Sequence, residues 1–296
     1  ALAQLIPTKL RTHIYISNVP VFLTEDSKKR YEILNTLKLF LKDLGKKNSV
    51  NFVRIDPLLE DNEMNNEILS RAGYVKAPTH VQAEHKWILN IQKDEEVLLS
   101  EMKKDTRYEV RKSLTSGLDI GYSTNPEDFD IFYDLFELTR SRQKFVANPK
   151  EYLQKQFEVL SKDNIYRLYF VKYNEKVIAS ALIAFYGDTA FYLHASSLNE
   201  REINKLYAPH ALIWQAIKDA KKDELKYFDF WGVAPDDDPK HPWAGFTHFK
   251  KGFGGELFKT VRAYDIPLSI MYSAIYPMEK YRDVWGYFYG KLIGRS

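Results

Sequence analysis

Residues 208–253 read APHALIWQAIKDAKKDELKYFDFWGVAPDDDPKHPWAGFTHFKKGF, and their order decides the fold. Leu212, Ile213, Ala216, Ile217 and Ala220 recur at steps of three and four, one face of a helix. Residues 226–231 form a short aromatic run with the character of a strand, stopped by Gly232 and Pro235. A loop with three consecutive aspartates, Asp236, Asp237 and Asp238, reads as solvated. A short segment, AGFTHFKKG, then leads to Phe253. The order is helix, strand, acidic loop, short segment, Gly-aromatic.

The same order occurs upstream. Ile33, Leu34, Leu37, Phe40, Leu41 and Leu44 give a helix predicted to stop at Gly45. Residues 50–55 alternate as a strand ended by Asp56-Pro57. A polar loop, a short helix NNEILSRAG and Tyr74 follow, so Arg71-Ala72-Gly73-Tyr74 falls where Lys250-Lys251-Gly252-Phe253 falls. Strand meanders precede both. Residues 168–171, 177–184 and 190–194, turning at Asn174-Glu175 and Gly187-Asp188, precede the second; residues 3–6 and 13–16 precede the first. We read two copies of one α/β unit, the first cut short at its N-terminus. The expected division is 1–85 for the first domain, completed by a C-terminal helix within 264–296, and 86–263 for the second. Between the repeats, residues 87–91 read as a strand and 94–113 as one helix. A second helix is expected over 128–139, with Phe129, Phe132, Tyr133 and Phe136 on its apolar face. Residues 276–293 read as an aromatic-rich helix or helix pair.

Composition agrees with this organisation and removes several chemistries. A chain of 296 residues suits two domains. With 45% hydrophobic and 28% charged residues it is neither disordered nor a coiled coil. There is no cysteine, which excludes a disulfide scaffold, a thiol nucleophile and a cysteine metal site. The net charge of +3 makes any nucleic-acid contact local. No apolar run approaches the roughly 18 residues of a membrane span, and no signal peptide is visible, so a cytoplasmic protein is expected. The unusual feature is the aromatic content: 20 Tyr, 18 Phe and 5 Trp.

Three groups of residues can carry chemistry. Arg107 and Arg111, four apart on a helix, can present guanidinium forks to phosphate. Asp105 and Glu109 share that spacing, so from spacing alone the segment reads first as a solvated, ion-paired face. In 247–255, Gly252, Gly254 and Gly255 permit a close backbone approach, and Lys250 beside them can meet developing negative charge. The plainer reading is a helix end followed by a turn. Asp229, inside an aromatic strand ending in Trp231, is either paired or functional, because an unpaired carboxylate there is costly; His241 lies beyond that strand end. The seven histidines, His80 among them, show no metal-binding spacing, and neither a GxSxG nor a GxxxxGK[ST] motif occurs. What is left is a transferase working by positioning and electrostatics, or a binding protein.

Three blocks together resemble one family, the Fem peptidyltransferases. TRYEVRKSLTSGLDI is similar to its "TRYNIRKAEKKGV" segment. The stretch from Tyr192 to Val233, YLHASSLNEREINKLYAPHALIWQAIKDAKKDELKYFDFWGV, resembles its "A-S-S … P-x-x-L-x-W-x-x-I … Y-D-F-x-G" pattern. HPWAGFTHFKKGFGGEL resembles "HP-x-x-G-x-x-x-F-K-x-G-F-G-G". The resemblance implies two GNAT-like (acetyltransferase-like) domains in tandem. It also implies transfer of an amino acid from aminoacyl-tRNA to the stem-peptide amino group of a peptidoglycan precursor, UDP-MurNAc-pentapeptide or lipid II. The absence of a long helical insertion implies the FemX-type members, which lack a coiled-coil arm.

The resemblance makes Lys250 the catalytic cation. It places Phe249, Arg107, Arg111, Tyr192, Ser196, Ser197, Trp231, His241 and Gly252 at the substrates. It implies no cofactor and no metal, and a monomer is expected. His194 stands where the family usually has glycine. The family's N-terminal residues, with a basic residue that grips the precursor's phosphates, are expected to lie before Ala1. CoA-dependent acetyltransferases of related fold carry a glycine-rich loop where 201–210 has no glycine, which argues against CoA. Other tRNA-dependent transfer, or a precursor-binding protein without activity, are the alternatives. Trp285, Tyr287, Phe288 and Tyr289, flanked by Lys291 and Arg295, suit either a peripheral membrane contact near lipid II or packing onto the first domain.

Overall fold

The structure is a computed structural model, and it describes residues 2–7, 12–79, 81–145, 147–236 and 238–281. His80, Asp237 and the aromatic segment 285–295 lie outside the described residues. Two compact units divide the chain: 1–84 with 258–296, and 85–257.

The first unit begins with β1 (Ala3–Ile6) and β2 (His13–Ser17), followed by α1 (Ser27–Lys47) and β3 (Phe52–Asp56). α2 (Glu63–Arg71) and β4 (Val75–Lys76) complete this stretch. α1 starts where Asp26 accepts hydrogen bonds from the Lys28 and Lys29 N–H groups and ends with Lys46 and Lys47 against the negative end of its dipole. Gly45 does not stop this helix. A Cβ there would come within 2.1 Å of Leu268 Cδ1 and 3.2 Å of Val50 Cγ2, so the glycine lets the last turn pack closely.

The second unit holds β5 (His85–Asn90), α3 (Glu95–Glu101), α4 (Lys104–Ser113), β6 (Asp119–Ser123), α5 (Phe129–Gln143) and α6 (Lys150–Leu160). The strands β7 (Tyr166–Tyr173), β8 (Lys176–Tyr186) and β9 (Thr189–Ser197) form the expected meander. Asn174 and Glu175 both take positive φ in the first turn, as a tight hairpin demands. α7 (Arg201–Asn204), α8 (Ala208–Lys222), β10 (Tyr227–Gly232), α9 (Ala244–Gly252) and β11 (Glu256–Lys259) follow, and β12 (Tyr264–Pro267) closes the order. The single helix expected over 94–113 is two. Met102 and Lys103 are extended, and the Lys103 N–H donates to the Gly252 carbonyl at 2.9 Å instead of continuing a helix.

The sheets run β1-β2-β3-β12-β4 and β11-β5-β10-β9-β8-β7-β6. In each, a parallel pair (β2/β3, β9/β10) is flanked by antiparallel neighbours, so β1, β2, β3, β12 and β4 correspond to β8, β9, β10, β5 and β11. The chain passes between the two sheets twice, near the two unit boundaries. β5 follows β4 in the chain but joins the second sheet; β12 follows β11 but joins the first. The strand β12 is a feature the expected C-terminal helix did not include. Residues 258–263, assigned from sequence to the second domain, lie in the first unit. The Thr260 N–H donates to the Glu84 carbonyl at 2.8 Å and the Val261 N–H to that of Leu59 at 2.9 Å.

β8 is buried on both faces, as a central strand should be. Ala181, Ile183 and Phe185 meet Leu212, Trp214 and Ile217 of α8, whereas Leu182 meets Phe129, Phe132, Phe136 and Phe157 of α5 and α6. Much of the phenylalanine excess sits in this second layer. No described helix of the second unit exceeds the 15 residues of α5 and α8, and no described helix is long and apolar enough to cross a membrane.

The first unit buries a charged cluster. Arg54 on β3, 3% exposed, makes a two-pronged pair with Asp265 on β12 (2.7 and 2.8 Å) and also reaches Glu279 (2.7 Å) and Thr79 (3.0 Å). Tyr272 donates to Asp265 at 2.9 Å. Removing the cation strands two buried carboxylates. Arg54→Met is therefore expected to cost about 3–5 kcal/mol at neutral pH in urea unfolding. Stranded carboxyls have raised folded pKa values, so the loss should shrink as pH falls and they take up protons. A loss that is independent of pH would contradict this account.

Candidate active site

The second sheet opens where its parallel strands part. β9 and β10 pair over only three residues, Thr189–Phe191 against Tyr227–Asp229. β9 then continues to Ser197 and β10 to Gly232. Sheet twist carries the free ends apart, and the edge-to-face rings of Tyr192 and Phe230, 6.4 Å between centroids, stand at the opening. The resulting cleft holds about 180 Å³. Tyr192, Ala195, Ser196 and Ser197 come from β9, Pro209 and Leu212 from α8, and Phe249 from α9. The lining from β8 is Ala179 and Ser180, and the Ser180 and Ser196 hydroxyls lie 2.7 Å apart. At the mouth, Arg142 donates through both terminal nitrogens to the Ser197 carbonyl (3.2 Å each), and the Ser197 N–H donates to Thr139 Oγ1 (3.3 Å). Small side chains, paired hydroxyls and one guanidinium suit a narrow ligand with a polar or anionic end.

Lys250 neighbours Phe249 in sequence, but on a helix the two point about 100° apart. Phe249 lines the cleft and packs on His210 (4.9 Å) and Phe253 (5.3 Å). Lys250 is buried and aims at the end of β10. Its Nζ donates to the Gly232 carbonyl at 2.6 Å and lies 4.9 Å from the Phe246 ring centre. An ammonium has three donors, and this is its one hydrogen bond among the described residues. Burial pushes the Lys250 pKa down to about 8, against the opposite pull of Asp229.

The strand end itself is irregular. The pairing of β10 with β5 shifts between Asp229 and Gly232, a bulge, and Trp231 there takes φ +64. Asp229, 3% exposed, accepts the Trp231 N–H at 2.6 Å. Burial pushes its carboxyl pKa up, while that hydrogen bond and the Lys86 and Lys250 charges hold it back. Lys86, opposite Gly232 on β5, is buried with its Nζ 5.1 Å from the Trp231 ring centre. Three buried charges thus meet at the carboxyl end of a parallel strand, where α/β sheets gather ligands.

The residues singled out from sequence separate into groups. Tyr192, Ser196, Ser197 and Phe249 share the cleft, and Trp231 and Lys250 share the strand end. Gly252 belongs to neither: a Cβ on it would fall 2.1 Å from Thr106 Oγ1, so its smallness lets α9 meet α4. His241 accepts the Trp243 N–H through Nδ1 at 3.0 Å, shaping the entry to α9. Arg107 and Arg111 lie with Lys104, Tyr108 and Lys112 around a shallow groove on α4, apart from the cleft. Arg107 already donates to the Ser100 carbonyl at 2.8 Å. Sequence reading missed Arg142, Thr139 and Lys86, none of which stands in a recognisable motif. It also missed the contact of His210 Nε2 with Glu109 at 2.9 Å. Burial lowers the pKa of that histidine to about 4, so it is neutral and donates.

Residues 71–171 and 162–280 match the FemAB family. UDP-N-acetylmuramoylpentapeptide-lysine N(6)-alanyltransferase of Weissella viridescens is 21% identical over 192 residues, covering 61% of this chain. The match spans 56% of that relative's length. Lipid II:glycine glycyltransferase of Staphylococcus aureus (strain USA300) is 21% identical over 339 aligned positions, 89% of this chain and 79% of that one. Among solved structures, FemX superposes with a TM-score of 0.78 at 20% identity, covering 94% of this chain and 85% of that chain. A tandem GNAT protein from the clavulanic acid biosynthesis pathway gives 0.54 at 11% identity, covering 87% and 75%. The fold is accordingly two GNAT-like units in tandem, and with both matched stretches spanning most of its length the chain belongs to the FemAB family.

Proposed function

We propose that this chain is an aminoacyltransferase that moves an amino acid from aminoacyl-tRNA to the stem-peptide amino group of a peptidoglycan precursor, UDP-MurNAc-pentapeptide or lipid II. The observation that carries the reading is Lys250: a buried ammonium at a strand end, with one donor used and two left, next in sequence to a residue lining the cleft. The acceptor amine attacks the ester carbon, forming a C–N bond and a tetrahedral oxyanion. Lys250 supplies hydrogen bonds and charge to that oxygen in a water-poor setting. Collapse breaks the C–O bond to the tRNA ribose, and overall the proton lost by the amine is gained by the leaving oxygen. No covalent enzyme intermediate is needed, in keeping with the absence of cysteine.

The donor assignment rests on two features. The start of α8 is poorly suited to a CoA pyrophosphate: Pro209 has no N–H, the His210 and Ala211 N–H groups already bond the Tyr207 carbonyl, and Glu109 sits beside His210. The exposed basic side of α4 offers Lys104, Arg107, Arg111 and Lys112 to a phosphate backbone. With a net charge of only +3, contact limited to the acyl end of the tRNA fits better than contact along its length. The acceptor assignment follows the activities for which the two relatives are named. On this reading the protein works as a monomer on the cytoplasmic side, where it meets soluble precursor or the inner membrane face.

Lys250→Ala is expected to lower turnover by about 100-fold or more, as for the loss of one oxyanion donor. Near-normal transfer by that variant would remove Lys250 from the mechanism. Lys250 acts protonated, so kcat/KM should fall as pH rises through about 8, the value to which burial brings it. Arg107→Ala and Arg111→Ala should weaken donor binding with kcat little changed, each lowering the salt slope of binding by about 1. A slope unchanged in both variants would place the tRNA elsewhere.

A further inference from the structure

We infer that Asp229 is a positioning residue for Lys250, fixing the β10 bulge through the Trp231 N–H and keeping the neighbouring ammonium charged; the inference rests on the transferase reading above. The geometry forms a relay. The Asp229 carboxylate accepts the Trp231 N–H at 2.6 Å and so holds a bulky residue at φ +64, a left-handed conformation that such a residue rarely adopts without support. Holding Trp231 there sets the direction of the next carbonyl, Gly232, which receives Lys250 Nζ at 2.6 Å. The ammonium is thus anchored by a carbonyl whose aim depends on Asp229. Asp229 is 3% exposed and does not line the cleft, so it acts through its neighbours.

The electrostatics point the same way. The charged group acting on Lys250 is Asp229 from β10, which in turn feels Lys86 from β5; α4 presents Asp105 and Glu109, which face His248 (3.5 Å) and His210 (2.9 Å). Asp229 is the one group whose charge raises the Lys250 pKa against burial. Without it, burial acts unopposed and the ammonium loses its proton at lower pH.

The test uses the full chain. Asp229→Asn keeps an oxygen that can accept the Trp231 N–H and removes the charge. The falling limb of kcat/KM, and the titration of Lys250 in 15N-lysine-labelled protein followed by NMR, should both move down by about one pH unit. Asp229→Ala also removes the clamp and should lower kcat a further tenfold or more than Asp229→Asn at a pH where Lys250 is protonated. Asp229→Ser, smaller and still an acceptor, is the second neutral variant should Asn fail to give a cooperative melt. Unmoved Lys250 titration in a folded neutral variant overturns the inference, even if Lys250→Ala abolishes transfer. If the titration moves but the wild type transfers no amino acid, the transferase reading fails and the positioning role stands.

Discussion

The early parting of β9 and β10 is the constraint on which the second unit depends. A parallel pair that ends after three residues leaves backbone N–H and C=O groups facing a gap, and buried backbone groups must be satisfied. The polar side chains around the gap do this. Thr139 and Arg142 take the N–H and carbonyl of Ser197. Asp229 takes the Trp231 N–H, and Lys250 takes the Gly232 carbonyl. The groups that make the cleft chemically capable are therefore the groups that make the splayed sheet possible. That coupling explains why a carboxylate and an ammonium tolerate burial here: each meets a backbone partner that would otherwise be stranded.

Burial also sets what the charges can do. An ammonium in water is screened and strongly hydrated, and it offers little to a transient oxyanion. The same group in a low-dielectric pocket interacts more strongly and is already oriented. The cost is a lowered pKa, which for Lys250 stops at about 8. It remains mostly charged at neutral pH because one carboxylate, Asp229, is buried beside it.

Much of the fold was legible because its signals are local. The helical period of residues 212–220, the aromatic strand before Gly232 and the Gly-aromatic endings at Gly73 and Gly252 lie within short windows. The repeat they define reappears in the matching order of the two sheets. What was illegible depends on distant partners. Gly45 looks like a helix stop until Leu268, over 200 positions away, is placed against it. Met102 and Lys103 carry no breaker residue; the interruption comes from a hydrogen bond to Gly252. In the site, Phe249, Ser196 and Tyr192 were reached through motifs, whereas Lys86 and Arg142 occur in ordinary strand and helix text. Gly252 shows that a motif position can also carry a packing constraint, here the approach of α9 to Thr106 on α4.

The duplication suggests why one unit carries the proposed chemistry. β3 of the first unit corresponds to β10 of the second, and each sheet buries a cation at or beside that strand. Arg54 spends four N–H donors on Asp265, Glu279 and Thr79, out of the five a guanidinium has, and two acids surround it. Such a cation is structurally committed: offering it an oxyanion would mean breaking bonds already made. Lys250 has one acid nearby and one hydrogen bond. A catalytic cation must be under-satisfied in the resting protein and become fully satisfied only as charge develops on the substrate, since an interaction equally strong at every stage accelerates nothing. By that criterion the first unit has closed its charged cluster and the second has kept one open.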